Sequence, residues 1–238
     1  MVPSWTETLI ECGIPVVGRT RYCIHPQAKV QNIPVIGGTK EAQWDLIRDL
    51  KPDLILFDKE ENPLEMAEEC PFKYIATHVT SIEALQIELS RLADLFENPE
   101  LAQLALDAYD IAQAPSLKWE QLKNPPGLLK TVGHPQMQQQ VQYIIWKKPW
   151  MSVGQGTYIA SVLQKLGAQV LEAQEKYPVL EEADLKVGTL LFSSEPFPFA
   201  KKTADLEKEK LAGYVVDGEL YSWFGVRSLR LLKPYFSK

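Results

Sequence analysis

With 238 residues and a hydrophobic fraction of 45%, the chain is long enough for one large core or for two lobes of about 100 residues each. A net charge of −6 excludes the broad basic face that a phosphate backbone requires for counterion release, so no nucleic-acid partner is expected. No run approaches the ~20 apolar residues that span a bilayer, and the three cysteines, Cys12, Cys23 and Cys70, are odd in number and too widely spaced for a disulfide framework or a CxxC zinc site.

Taken in order, Ser4-Trp5-Thr6-Glu7 reads as a capping box opening a short helix that Gly13 stops. Ile14 to Val17 is strand-like, a polar loop and a Gly37-Gly38 turn follow, and Glu41 to Leu50 has helical spacing. The unbroken apolar run in "KPDLILF" predicts a strand buried on both faces, Pro63 can open the next helix, and "KYIAT" supplies another strand. This alternation defines a first α/β lobe over residues 1–78. Thr80-Ser81-Ile82-Glu83 is a second capping box; helical periodicity runs to Phe96 and restarts after Asn98-Pro99, until Pro115 and then Asn124-Pro125-Pro126-Gly127 close a helical bridge over 79–127.

Alternation resumes with the strand "VQYIIW", the loop "KKPWMSVGQG", a helix over Thr157 to Leu166, and the strand "QVLEA". It continues through "GTLLFSSEPFPF", a helix near Lys201 to Leu211, "GYVVDG", and a last helix after Ser222. Residues 128–238 form the second lobe. The expected fold is α/β, with two Rossmann-like lobes built on parallel sheets.

Ligands of such sheets bind beyond the carboxyl ends of the strands, where loops are free of packing duty. Arg19, Arg21, Tyr22, Cys23 and His25 follow Val17; Trp146, Lys147, Lys148 and Trp150 follow Ile145; Glu195, Phe197 and Phe199 follow Phe192; Trp223, Phe224 and Arg227 come after Val216. Rings on loops suit the walls of a flat or bulky ligand, and cations beside them suit its carboxylates. The competing reading is that these rings cap the core. Cys23 and His25 are the candidate metal ligands, although a loop histidine before proline more often stacks or hydrogen-bonds. GxSxG, Walker A, GxGxxG and HExxH motifs are absent, so neither catalysis nor a required cofactor is expected.

The ordered phrases "VPSWTETLIECG", "VVGRTRYCIHP", "VIGGTK", "LKPDLILFDKEEN", "IIWKKPWMSVG", "YPVL", "LLFSSEPFPF" and "VDGELYSWFGVR" resemble the helical-backbone periplasmic binding proteins, which carry cobalamin, haem and ferric siderophores to ABC importers. The resemblance implies two α/β lobes joined by a long helix, a ligand cleft between them, and a metal chelate as cargo. It puts Trp5, Tyr22, Trp223 and Phe224 at aromatic ligand positions, with Trp146, Trp150, Phe197 and Phe199 matching by element. His25 joins this set; Arg19, Lys40 and Arg227 are the expected partners of the cargo's acidic edge. Glu61 or Glu65 in the first lobe and Glu195 in the second are the counterparts of the acids that meet an importer. The expected state is a monomer. No leader precedes "MVPSWTETL", so the chain reads as cytoplasmic as written and periplasmic if the start is truncated. Two alternatives stand beside this one: a cytoplasmic relative without an importer that binds or processes a corrinoid or metal complex through Cys23 and His25, and an interaction module whose own aromatics close the cleft.

Overall fold

A computed structural model of the chain describes residues 1–171, 173 and 175–236. The described chain forms two compact units, one made of Met1–Ile111 together with residues 223–236, the other of Ala112–Ser222.

In the first unit, helix α1 (Pro3–Glu11) begins with Pro3 in its first turn and has no side-chain cap, as suits a residue without an amide proton. The expected capping box at Ser4 and Glu7 does not form. Both residues lie inside the helix: the Ser4 carbonyl accepts from the Thr8 hydroxyl at 2.8 Å, and Glu7 faces a distant arginine, described below. Every residue from Ser4 to Ile10 is buried. The strand expected at Ile14 to Val17 joins no ladder among the described residues; next to it Arg19 bridges Val35, in parallel.

There follow α2 (Gln27–Val30), α3 (Trp44–Leu50), β1 (Ile55–Asp58), α4 (Leu64–Glu68) and β2 (Tyr74–Thr77). β1 and β2 pair in parallel with Ile55 opposite Tyr74. All of β1 is buried, as its unbroken apolar run requires. Ile36, Ile47, Ile55, Phe57 and Met66 form the core beside it. Ser81 caps α5 (Ile82–Phe96) by accepting from the Ala84 amide at 3.1 Å. Glu97 then turns left-handed (φ 48°), and Asn98 accepts from the Leu101 amide at 2.8 Å to start α6 (Pro99–Gln113).

The second unit holds β3 (Leu128–Val132), β4 (Gln140–Trp146), β5 (Trp150–Ser152), α7 (Tyr158–Lys165), β6 (Gln169–Val170), β7 (Val179–Leu180), β8 (Thr189–Ser193), α8 (Thr203–Lys208), β9 (Gly213–Val216) and α9 (Gly218–Ser222). The strand expected in "QVLEA" is confined to Gln169–Val170, and Glu172 lies outside the described residues. The sheet order is β3-β9-β8-β4-β5-β7, with β6 on β4. Pairings β4–β6, β4–β8 and β8–β9 are parallel, whereas β3–β9, β4–β5 and β5–β7 are antiparallel. The sheet is therefore parallel at its centre only. Three residues link β4 to β5, too few for the crossover that a parallel pair requires. Helix α10 (Val226–Phe236) belongs to the first unit and packs on α1.

Candidate ligand-binding surfaces

Of the candidate rings in the first unit, Tyr22 is exposed, at 52% of its full accessibility. The Arg21 guanidinium lies 5.4 Å from its centroid and pairs with Glu41. His25 meets the edge of Trp223 at 5.4 Å between centroids, and both rings are half-buried. The Arg227 guanidinium lies 5.4 Å from the centroid of the Trp223 ring while its Nε and Nη2 each donate to Glu7 at 2.7 Å. Glu7 is 2% exposed. Further contacts run from α10 to α1: Arg230 donates to Glu11 at 2.9 Å and lies 3.9 Å from Glu7, and the Val226 amide donates to the Thr8 hydroxyl at 3.2 Å.

Trp5, Phe224, Arg19 and Lys40 are engaged within this unit. Trp5 is 1% exposed, meets Phe224 edge-on at 5.0 Å, and donates from Nε1 to the Thr77 hydroxyl at 2.8 Å. That hydroxyl donates in turn to Asp58 at 2.7 Å. Phe224 is buried with Trp5, so neither ring presents a face to a ligand. Asp58 also accepts from the amides of Glu60 and Val79; burial pushes its carboxyl up, and these donors oppose the shift. Arg19 binds backbone carbonyls of Val30, Ile33, Thr20 and Cys23 at 2.8 to 3.3 Å, and so braces its own loop. Lys40 donates to the Glu61 carbonyl.

Cys23 is fully buried, with its thiol 3.1 Å from the hydroxyls of both Thr6 and Thr20, while His25 turns to Trp223. Among the described residues no three His, Cys, Asp or Glu side chains converge to hold a metal ion. Glu65 is exposed in the first turn of α4 and Glu61 is half-buried. Burial pushes the Glu61 carboxyl up against the opposing effect of Lys40.

In the second unit the rings pack on one another at the carboxyl edge of β4 and β8. Trp150 stacks on Phe199 at 6.0 Å, Phe197 meets Phe199 at 4.6 Å, and Trp146 meets Phe197 edge-on at 5.7 Å. Phe199 is fully buried and belongs to the core with Phe192, Ile144 and Val215. Trp146, 39% exposed, is the outermost ring. Lys147 lies 5.1 Å over Trp150 and pairs with Glu209 at 2.7 Å. Glu195 accepts from the Ser222 hydroxyl at 2.8 Å.

Sequence reasoning missed the pairing of Glu7, and it placed Arg21 in the loop after Val17 without seating it over Tyr22. The available signal for Glu7 was a carboxylate on an otherwise inward-facing stretch of helix, which demands a cationic partner. Arg21 is adjacent to Tyr22 and needed only the possibility of folding back on its neighbour.

No protein-family model matches the chain, and no curated protein matches it. Solved structures do. The periplasmic vitamin B12 binding protein BtuF of Vibrio cholerae aligns over 98% of this chain and 92% of its own, at 15% identity and a TM-score of 0.68. The periplasmic heme-binding protein RhuT from Roseiflexus sp. RS-1 aligns over 98% and 93%, at 17% identity and 0.72. IsdE of S. aureus, solved with heme, aligns over 100% and 97%, at 16% identity and 0.71. The chain shares the fold of these binding proteins.

Proposed function

We propose that the protein is a substrate-binding protein for a metal chelate of the cobalamin, haem or ferric siderophore class, which it hands to an ABC importer. The observation that carries this reading is likeness along the whole chain to cobalamin- and heme-binding proteins, at TM-scores of 0.68 to 0.72. The metal arrives as part of the cargo, so the protein needs no metal site of its own. A periplasmic working place goes with this role.

The ring groups offered to the cargo are Tyr22, His25 and Trp223 in the first unit and Trp146 in the second, all at least partly exposed. Each stacked ring contributes about 1 kcal/mol, and with the apolar area buried by a large chelate this supports binding near ~1 μM, about 8 kcal/mol. Glu65, exposed on α4, is the importer-facing acid of the first unit, and Glu195 that of the second.

Titration of the purified protein with cyanocobalamin, haemin and a ferric hydroxamate, followed by tryptophan fluorescence, tests this. Saturable quenching by one of them is expected. Absence of quenching by all three rejects the reading.

A further inference from the structure

In the first unit Arg19, Arg21, Lys40 and Arg227 are each already engaged with the protein's own acceptors. Arg227, which lies against Trp223, holds Glu7 with two bonds of 2.7 Å. Its side chain is 16% exposed and that of Glu7 2%. Turning Arg227 toward a ligand would therefore leave a buried carboxylate without its bidentate partner, a strongly unfavourable change. Arg19 directs Nε and Nη1 onto four carbonyls of its own loop, and Lys40 donates to the Glu61 carbonyl.

Arg21, beside Tyr22, has a half-exposed side chain and pairs with the exposed Glu41. Its guanidinium rests on Gly38, where an added Cβ would meet Nη2 at 3.0 Å. Both contacts come from one turn, since the Gly38 amide donates to the Glu41 carbonyl at 3.0 Å and Gly37 bridges Ala42. An exposed pair of this kind opens readily, yet the turn keeps the Glu41 carboxylate next to any anion that Arg21 would take up. In the second unit, Lys147 follows Trp146 and pairs with Glu209 at 2.7 Å.

Arg227, Arg21 and Lys147 thus meet the rings as halves of opposite-charge pairs, on a chain of net charge −6. A carboxylate only accepts hydrogen bonds, and beside such a pair its attraction to the cation is offset by repulsion from the acid. A primary amide donates and accepts at once, so it meets guanidinium and carboxylate together and brings no charge to be desolvated. Resting on the chelate reading, we propose that the protein selects a chelate whose rim carries uncharged amides over one whose rim carries carboxylates. Glu41 and Glu7 set this preference by holding Arg21 and Arg227, and Arg19 and Lys40 shape the surface rather than pair with the cargo.

The test uses matched ligands followed by tryptophan fluorescence: haemin beside its bis-amide, and cyanocobalamin beside derivatives whose peripheral amides are hydrolysed to carboxylates. In each pair that binds, the amide form is expected to bind about tenfold tighter or more, and added salt to narrow the difference, because it screens exposed charges. Equal or tighter binding of the carboxylate form overturns the proposal and leaves the chelate reading in place. Binding by neither member of either pair rejects the chelate reading and the proposal with it. Glu41→Gln, at an exposed position, is expected to tighten binding of the carboxylate form about threefold and to leave the amide form within about twofold. Glu120→Gln, which makes the same change in net charge at an exposed site of the second unit, is expected to alter neither. Equal responses to the two substitutions overturn the proposal.

Discussion

Arg227 grips Glu7 with two parallel hydrogen bonds of 2.7 Å, joining residues 220 positions apart. The planar fork matches the carboxylate, and the same guanidinium lies over Trp223. The pair therefore fixes α10 on α1 and holds the ring that meets His25. Replacing Glu7 with Gln strips a largely buried cation of its counter-charge and is expected to lower stability by about 3 kcal/mol in urea unfolding. The double change Glu7→Gln with Arg227→Met recovers part of that loss, because no unpaired charge remains.

Gly225 sits immediately before α10 with φ at +84°, and a Cβ there would lie 2.2 Å from the Thr8 hydroxyl. Both the backbone region and the space forbid a side chain. Gly225→Ala is expected to cost about 2 kcal/mol, read as a lower urea midpoint with an unchanged slope.

The buried Met1 amine makes stability depend on pH in a defined window. Its pKa drops from 8.0 to about 6 on folding. Above pH 8 the amine is neutral in both states and contributes no penalty. As pH falls from 8 toward 6 the unfolded chain takes up the proton first, so stability declines by about 2 to 3 kcal/mol and then levels off. Asp58 and Glu61, both pushed up by burial, act in the opposite sense, adding stability as pH falls through their own carboxylate range. Acetylation of the amine should abolish the decline between pH 8 and 6 and leave the lower range unaltered.

Ring substitutions separate ligand contacts from packing. Tyr22→Ala and Trp146→Ala, at exposed rings, are expected to weaken chelate binding about fivefold each, from ~1 kcal/mol per ring, with little change in Tm. Phe199→Ala removes a fully buried ring and is expected to cost about 3 to 5 kcal/mol of stability. Calorimetry of the variants beside the fluorescence titration measures both effects.

Cys23→Ser is expected to leave chelate affinity within about twofold, since the thiol is enclosed by Thr6 and Thr20 and makes no surface. Titration of the variant beside the parent protein checks this.

The α/β alternation was legible because it is written in local periodicity: the apolar run of β1 and the Ser81 cap of α5 are both features of neighbouring residues. The antiparallel turn from β4 to β5 was hidden inside "KKPWMSVGQG", where charges and proline masked a three-residue strand. Rings proved harder. Trp5, Phe199 and Phe224 are core, while Tyr22 and Trp146 are exposed; in sequence Trp5 sits in a helix-opening turn and the other four on loops after predicted strands, and only tertiary packing distinguishes buried from exposed. The partner of Glu7 was out of reach for the same reason, since nothing local couples residue 7 to residue 227.

The return of the last helix to the first unit has a practical corollary for anyone dividing this gene. A fragment ending at Ile111 would express α1 stripped of the cover that Arg227, Arg230 and Val226 supply, leaving Glu7 an orphan acid on an apolar helix. An independently folding piece must splice the C-terminal helix back on, by circular permutation or by co-expression of the tail.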